Sequence, residues 1–166
     1  MPRTAEETVR SYFDAVIAHD PAAMAEHWAD DGIEEILPVG IFRGPDEVKG
    51  YFTELFAAVP DMEFTVERVL AKENDVLVQW RAAGTFSGGA LMGVDPTGRR
   101  IELRGLDWVE VEGERIVRNT AFADGAALAR GMGLLPPQGS GAEKAMFGAF
   151  NALTKARGAV SEVLSR

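Results

Sequence analysis

The spacing of the apolar residues changes character once along the chain, and that change restricts the fold more than any motif does. Up to about residue 60 the apolar side chains recur every three or four positions, and from Met62 to Ala123, a glycine-rich interval aside, they alternate with polar ones. The first spacing is the stripe of a helix buried on one side; the second is a strand with one wet and one dry face. Three helices, with one short strand before the third, followed by a run of strands argue against alternating βαβ units and predict an α+β domain. The expected architecture is a cone-shaped, curved antiparallel sheet wrapped around three N-terminal helices, with its open end able to hold a ligand.

Local signals place the elements. Thr4 and Glu7 form a capping-box pattern, and Val9, Tyr12, Phe13, Val16 and Ile17 follow at helical spacing, so a first helix runs to about His19. Asp20 and Pro21 start a second, which carries Met24, His27 and Trp28 inward until Asp30-Asp31-Gly32. Ile33 to Val39 reads as one short strand. Gly44-Pro45-Asp46 opens a third helix, with the wide stripe Val48, Tyr51, Phe52, Leu55, Phe56 and Val59 ending at Pro60. Two strands follow, Phe64 to Leu70 and Val76 to Phe86, then a loop from Ser87 to Gly98 that is either a flexible connection or a pocket rim. A hairpin pairs Ile101–Val111 with Arg115–Ala123 across Glu112-Gly113-Glu114. Asp124 caps a short helix, Gly125 to Arg130. The expected division is a cone domain over residues 1–137, and a linker plus amphipathic helix over 138–166 carrying Met146, Phe150, Leu153, Ala156, Val160 and Val163.

Charge and composition narrow the partners. With 166 residues, 46% of them apolar, one domain with a core is expected. A net charge of -9 without any basic run argues against nucleic acid and anionic membrane. There is no cysteine, so thiolate chemistry and disulfides are excluded. The start does not resemble a signal peptide and no apolar run approaches spanning length, which gives a cytoplasmic expectation. His19 and His27 lie eight residues apart with no acid at ligand spacing, so neither a metal nor a cofactor is expected.

Asp107 is the residue that does not fit its row. On its strand Ile101, Leu103, Gly105, Val109 and Val111 share its face, and a carboxylate among them must be solvated, paired or kept protonated. If the hairpin keeps register, Asn119, Ala121 and Ala123 face the same side. Two alanines there suggest a cavity, with Trp80 on the neighbouring strand and Trp28 entering from the second helix. Phe86 at that strand's end and His27 join them as candidate ligand contacts, for a flat apolar ligand such as a polycyclic ketone. Plain core packing is the alternative for the same residues.

Several stretches together resemble the nuclear transport factor 2 superfold, and within it the SnoaL-like polyketide cyclases and the related ketosteroid isomerases. They are Tyr12-Phe13-Asp14 with His19-Asp20, His27-Trp28-Ala29-Asp30-Asp31, Phe42-Arg43-Gly44-Pro45, Val59-Pro60-Asp61, Gly84-Thr85-Phe86 and Pro96-Thr97-Gly98-Arg99-Arg100. The resemblance implies that Tyr12 and Asp107 stand where the isomerases keep two hydrogen-bond donors to an enolate oxygen. The alternatives are a core aromatic for Tyr12, and for Asp107 an acid paired with a neighbour such as Asn119 or an arginine. The usual bases are missing. The isomerase base falls at Ile36 or Leu37, and the cyclase tryptophan and acid at Thr120 and Ala121; the nearest substitutes are Glu34 and Glu35, of which Glu34 shares the Ile36 face.

Three functions follow. The first is a cofactor-free isomerase, cyclase or lyase moving a proton next to a carbonyl on an apolar cyclic, polyketide- or steroid-like substrate, with Tyr12 and Asp107 polarising oxygen and Glu34 as base. The second is a non-catalytic binding protein for an apolar small molecule. The third is an assembly module with a filled cone. Leu106, Trp108 and Phe122 on the opposite sheet face need cover, and a homodimer or the chain's own C-terminal helix would supply it.

Overall fold

The structure is a computed structural model that describes residues 2–164, with side chains as far as residue 157. Thr4 caps α1 (Ala5–Ile17) by accepting from the Glu7 N–H, while the Glu7 carboxylate accepts from the Thr4 N–H at 2.8 Å. Asp20 caps α2 (Pro21–Ala25), with Pro21 in its first turn. The remaining elements are β1 (Trp28–Leu37), β2 (Gly40–Arg43), α3 (Gly44–Ala58), β3 (Glu63–Lys72), β4 (Asp75–Thr85), β5 (Arg100–Glu112), β6 (Arg115–Ala123), α4 (Gly125–Met132) and α5 (Gly141–Leu164). The six strands form one curved open sheet in the order β2-β1-β6-β5-β4-β3. This is the α+β cone anticipated above.

Three elements differ from their sequence expectation. The second helix stops at Ala25, so His27 lies in the connection and Trp28 opens a strand. β1 is accordingly ten residues long instead of a short piece from Ile33, and its hairpin partner β2 was not anticipated. The cause is long-range pairing. β1 runs parallel to β6, with Trp28 opposite Ile116 and Ile33 opposite Arg118, and Asp30-Asp31-Gly32 bulge between those two points. Local spacing contains no information about that partner. The other four ladders are antiparallel.

α1 and α3 pack into the concave face. Val9, Tyr12, Phe13 and Val16 of α1 meet Val76 and Val78 of β4, Val109 of β5 and Ile116 of β6 in one cluster. Each such side chain contributes about 1.5–3 kcal/mol when removed from water. A second cluster gathers Phe86, Ile101 and Met132 with Leu91 from the Ser87–Gly98 loop. That loop is therefore partly anchored: the Phe86 N–H donates to Arg99 at 2.9 Å and the Gly98 N–H to Phe86 at 2.8 Å.

The convex face is uncovered. Leu106 lies opposite Phe122, and Trp108, next along β5, is 48% exposed. α5 of the same chain does not shield them. It is tied to α4 instead, through Arg130 and Glu143 at 2.9 Å, and it leaves Phe147, Phe150 and Leu153 exposed. The side chains of Val160 and Val163 lie outside the described residues. Among the described residues no helix is long and apolar enough to cross a membrane.

Candidate active site

The inner mouth of the cone holds a cavity of about 100 Å³. Helices α1 and α3 form one wall and strands β1, β4, β5 and β6 the other. Its lining is apolar apart from Tyr12, Glu34, Tyr51, Trp80 and Asp107. Ala121 and Ala123 of β6 do line it, and Leu91 with the half-exposed Met92 makes the loop a rim.

Strand register brings the polar groups together. On β1 Glu34 points inward between Gly32 and Ile36, while Glu35 points out. The parallel β1–β6 pairing sets Glu34 beside Asn119, and the antiparallel β5–β6 pairing sets Asp107 beside Ala121 and Val109 beside Asn119. Asn119 thus stands between two acids. Its amide donates to Asp107 Oδ2 at 2.8 Å and to Glu34 Oε1 at 3.0 Å. The other oxygen of Asp107 accepts the Trp80 indole N–H at 2.7 Å. Trp80 reaches it because its cross-strand neighbour is Gly105: a Cβ there would sit 2.6–2.7 Å from indole carbons, so only glycine lets the ring lie across β5.

These carboxyl groups are unusual for their burial. Glu34 is 1% exposed and Asp107 6%, and no Lys, Arg or His stands among the residues lining the cavity. Burial raises the Asp107 pKa from 3.8 to about 6, against two N–H donors that favour its ionised form. Burial raises Glu34 well above the carboxylate range, and the Asp107 charge beside it adds to the effect, with the Asn119 bond opposing. These surroundings favour the proton on Glu34 and the charge on Asp107. Tyr12 is pushed well above its usual value by burial and by the two acids. Its hydroxyl is buried without a hydrogen-bond partner, as are the Trp28 indole N–H and the Asn119 Oδ1.

The residues expected from sequence separate into two groups. Tyr12, Glu34, Asp107 and Trp80 line the cavity, and Asn119 supports the acids from behind. His27, Trp28 and Phe86 are not part of the lining. Both nitrogens of His27 are engaged, with the Ala23 carbonyl at 2.8 Å and Ser11 Oγ at 2.9 Å. Trp28 is edge-on to Tyr12 in the core, at 6.0 Å between ring centres, and Phe86 belongs to the second cluster. His19 stacks on Phe56 at 4.4 Å. Tyr51 was missed as a site residue because it sits within the apolar stripe of α3, where its hydroxyl was the only signal. Burial and the nearness of Glu34 raise its pKa. Among the described residues no cluster of three or more His, Cys, Asp or Glu could hold a metal ion.

Comparison with known proteins agrees with this architecture. Residues 9–119 match the family described as SnoaL-like domain. No curated protein matches the sequence. Among solved structures, the chain is similar to a "putative SnoaL-like polyketide cyclase" from Jannaschia sp. CCS1, at 21% identity and a TM-score of 0.71, covering 80% of this chain and 93% of that one. It is also similar to IdmH, a "putative polyketide cyclase" from Streptomyces antibioticus, at 25% identity and TM-score 0.65, covering 79% of this chain and 99% of that one. AclR of Streptomyces galilaeus, a "putative hydroxylase", matches at 20% identity and TM-score 0.68, covering 80% of this chain and 97% of its own. Such different names on one scaffold leave the chemistry to be argued from the residues.

Proposed function

Because the chain belongs to the SnoaL-like domain family, we propose that it is a small cofactor-free isomerase or cyclase that moves a proton next to a carbonyl on an apolar cyclic substrate. The observation that carries this reading is a pair of buried carboxyl groups, bridged by Asn119, that share an apolar cavity with a buried phenol. Neighbouring acids whose environments push their pKa values apart are suited to divide base and acid roles.

In this scheme Asp107 is the base. It takes the proton from the carbon beside the carbonyl, and the electron pair moves to the carbonyl oxygen. Tyr12 and protonated Glu34 donate hydrogen bonds to the resulting enolate oxygen. Returning the same proton to another carbon completes an isomerisation with nothing gained or lost. The roles are exchanged from those expected for Asp107 and Glu34 on sequence alone. Burial and the neighbouring Asp107 favour the protonated form of Glu34, whereas both oxygens of Asp107 accept from N–H donors that suit a carboxylate. A positioned base contributes about 10²–10⁴ in rate, and an oxyanion donor about 10²–10³.

Size limits the reacting part of the substrate. An apolar cavity of about 150 Å³ admits benzene, so the space of about 100 Å³ beside Asp107 takes only the reacting edge of a ring. The rest of a polyketide- or steroid-like frame would extend past Met92. Exchange of α-protons of cyclohexanone and cyclohex-2-enone into D2O, followed by proton NMR, tests the proposal. Catalysed exchange that Asp107→Asn abolishes supports it; exchange undiminished in that variant rejects it.

A second reading rests on Ile36, Leu37, Thr120 and Ala121, which occupy the places where the resembled enzymes keep their bases. It is a non-catalytic binding protein of the same fold, and it predicts that cyclic ketones bind without exchange. In either case the exposed Leu106, Trp108 and Phe122 favour a homodimer built through the convex sheet face.

A further inference from the structure

We infer that the cavity also takes a small organic cation, a tertiary or quaternary ammonium ion of roughly five heavy atoms, with its positive nitrogen between Asp107 and the aromatic wall. The proposed proton transfer acts on a neutral ketone and needs no such charge, so the two proposals stand or fall separately.

The first ground is an imbalance of charge. A buried carboxylate is ordinarily retained beside a cation, because an unpaired charge in an apolar interior is costly. Here Asp107 and Glu34 lie together in the interior, the only polar donors to them are neutral, and the lining contains no basic side chain. A cation entering the cavity would supply the counter-charge that its lining lacks. A net charge of -9 draws cations toward the molecule rather than repelling them.

The second ground is the wall itself. Seven lining residues are aromatic, among them Phe13, Tyr51, Phe52, Phe64 and Trp80. Ring faces carry partial negative charge and attract an organic cation without the hydration that a metal ion or ammonium would demand. Methylated ammonium is both apolar enough for such a wall and positive enough for Asp107. The third ground is independent of the acids. The Tyr12 hydroxyl, on a residue 1% exposed, belongs to the cavity lining and has no partner in the protein. Its oxygen can accept the N–H of a tertiary ammonium, and meets the methyl groups of a quaternary one by charge–dipole attraction alone.

The test is calorimetric titration of the full chain with tetramethylammonium chloride against a sodium chloride blank, with tert-butanol as the neutral probe of equal size. Tetramethylammonium should bind at least tenfold more tightly than tert-butanol. Asp107→Asn, checked for folding by near-UV circular dichroism, should remove that advantage, and Glu34→Gln should leave it within about twofold. Without any substitution, affinity should also fall about tenfold from pH 8 to pH 5 as Asp107 takes up its proton; the facing Glu34, Tyr12 and Tyr51 are all shifted upward by burial. Equal binding of the two probes, no detectable binding of tetramethylammonium, or an advantage that survives Asp107→Asn and is flat with pH would each overturn the inference. Loss of ketone exchange alone would not touch it.

Discussion

Replacing Asp107 by Asn should make the variant gain stability on the wild type as pH rises. The carboxyl of Asp107 titrates at 3.8 in an unfolded chain and at about 6 in the fold, because burial disfavours its charge. A group raised in this way stabilises the fold fully below the unfolded value, and that contribution is lost as pH climbs through the folded value. The difference of about two pKa units corresponds to about 3 kcal/mol in all, of which about 2 kcal/mol falls between pH 4 and pH 8. Asparagine does not ionise, so subtracting one variant from the other removes every group except Asp107 and the Glu34 coupled to it. The subtraction is needed because Glu7, Asp61 and Glu143 are shifted downward by local hydrogen bonds and pull the total stability the opposite way at acidic pH. Urea unfolding followed by tryptophan fluorescence at pH 4, 6 and 8 gives the gap directly. A gap that stays constant with pH, or that moves in favour of the wild type, refutes the claim that Asp107 carries its charge in a desolvated site.

Three further outcomes test separate parts of the structure. Gly105→Ala places a methyl group against the Trp80 indole and should cost about 1–3 kcal/mol in unfolding free energy while displacing the Trp80 indole N–H resonance in nitrogen-15 spectra; an unshifted resonance would show that the close approach is not needed. Tyr12→Phe removes a buried hydroxyl without a partner, so it should leave stability unchanged or raise it by about 1 kcal/mol while slowing ketone exchange at least tenfold. Loss of both together would mean that the hydroxyl has a structural role. Trp108→Glu on the convex face should convert a dimer to a monomer in size-exclusion chromatography with light scattering, and a monomeric wild type would reject the proposed homodimer.

The fold was legible from sequence wherever the determining contacts were local. The Thr4–Glu7 box, the stripe of α3 and the hairpin that sets Asp107 beside Ala121 all follow from residues a few positions apart or from strict alternation across a short turn. Where a distant partner decided the outcome, the reading failed. Trp28 has helical neighbours in sequence but is claimed by β6, eighty-odd residues onward, and the same parallel pairing places Glu34 beside Asn119. That is why Glu34 could be named as the acid facing inward while its protonation, which depends on Asp107 and Asn119, could not. The indole bond to Asp107 was hidden for a similar reason: it needs Trp80 and Gly105 in cross-strand register, and neither residue announces it alone. Tyr51 was obscured by its company, since a tyrosine in an apolar helical stripe has the pattern of a core residue.

The central claim is that Glu34 and Asp107 share one proton unequally, and carbon-13 NMR of their carboxyl carbons against pH measures this directly. The Asp107 signal should titrate near pH 6 while the Glu34 signal keeps its protonated shift through pH 7. An ionised Glu34 beside a protonated Asp107 at pH 7, or two ionised groups, would contradict it.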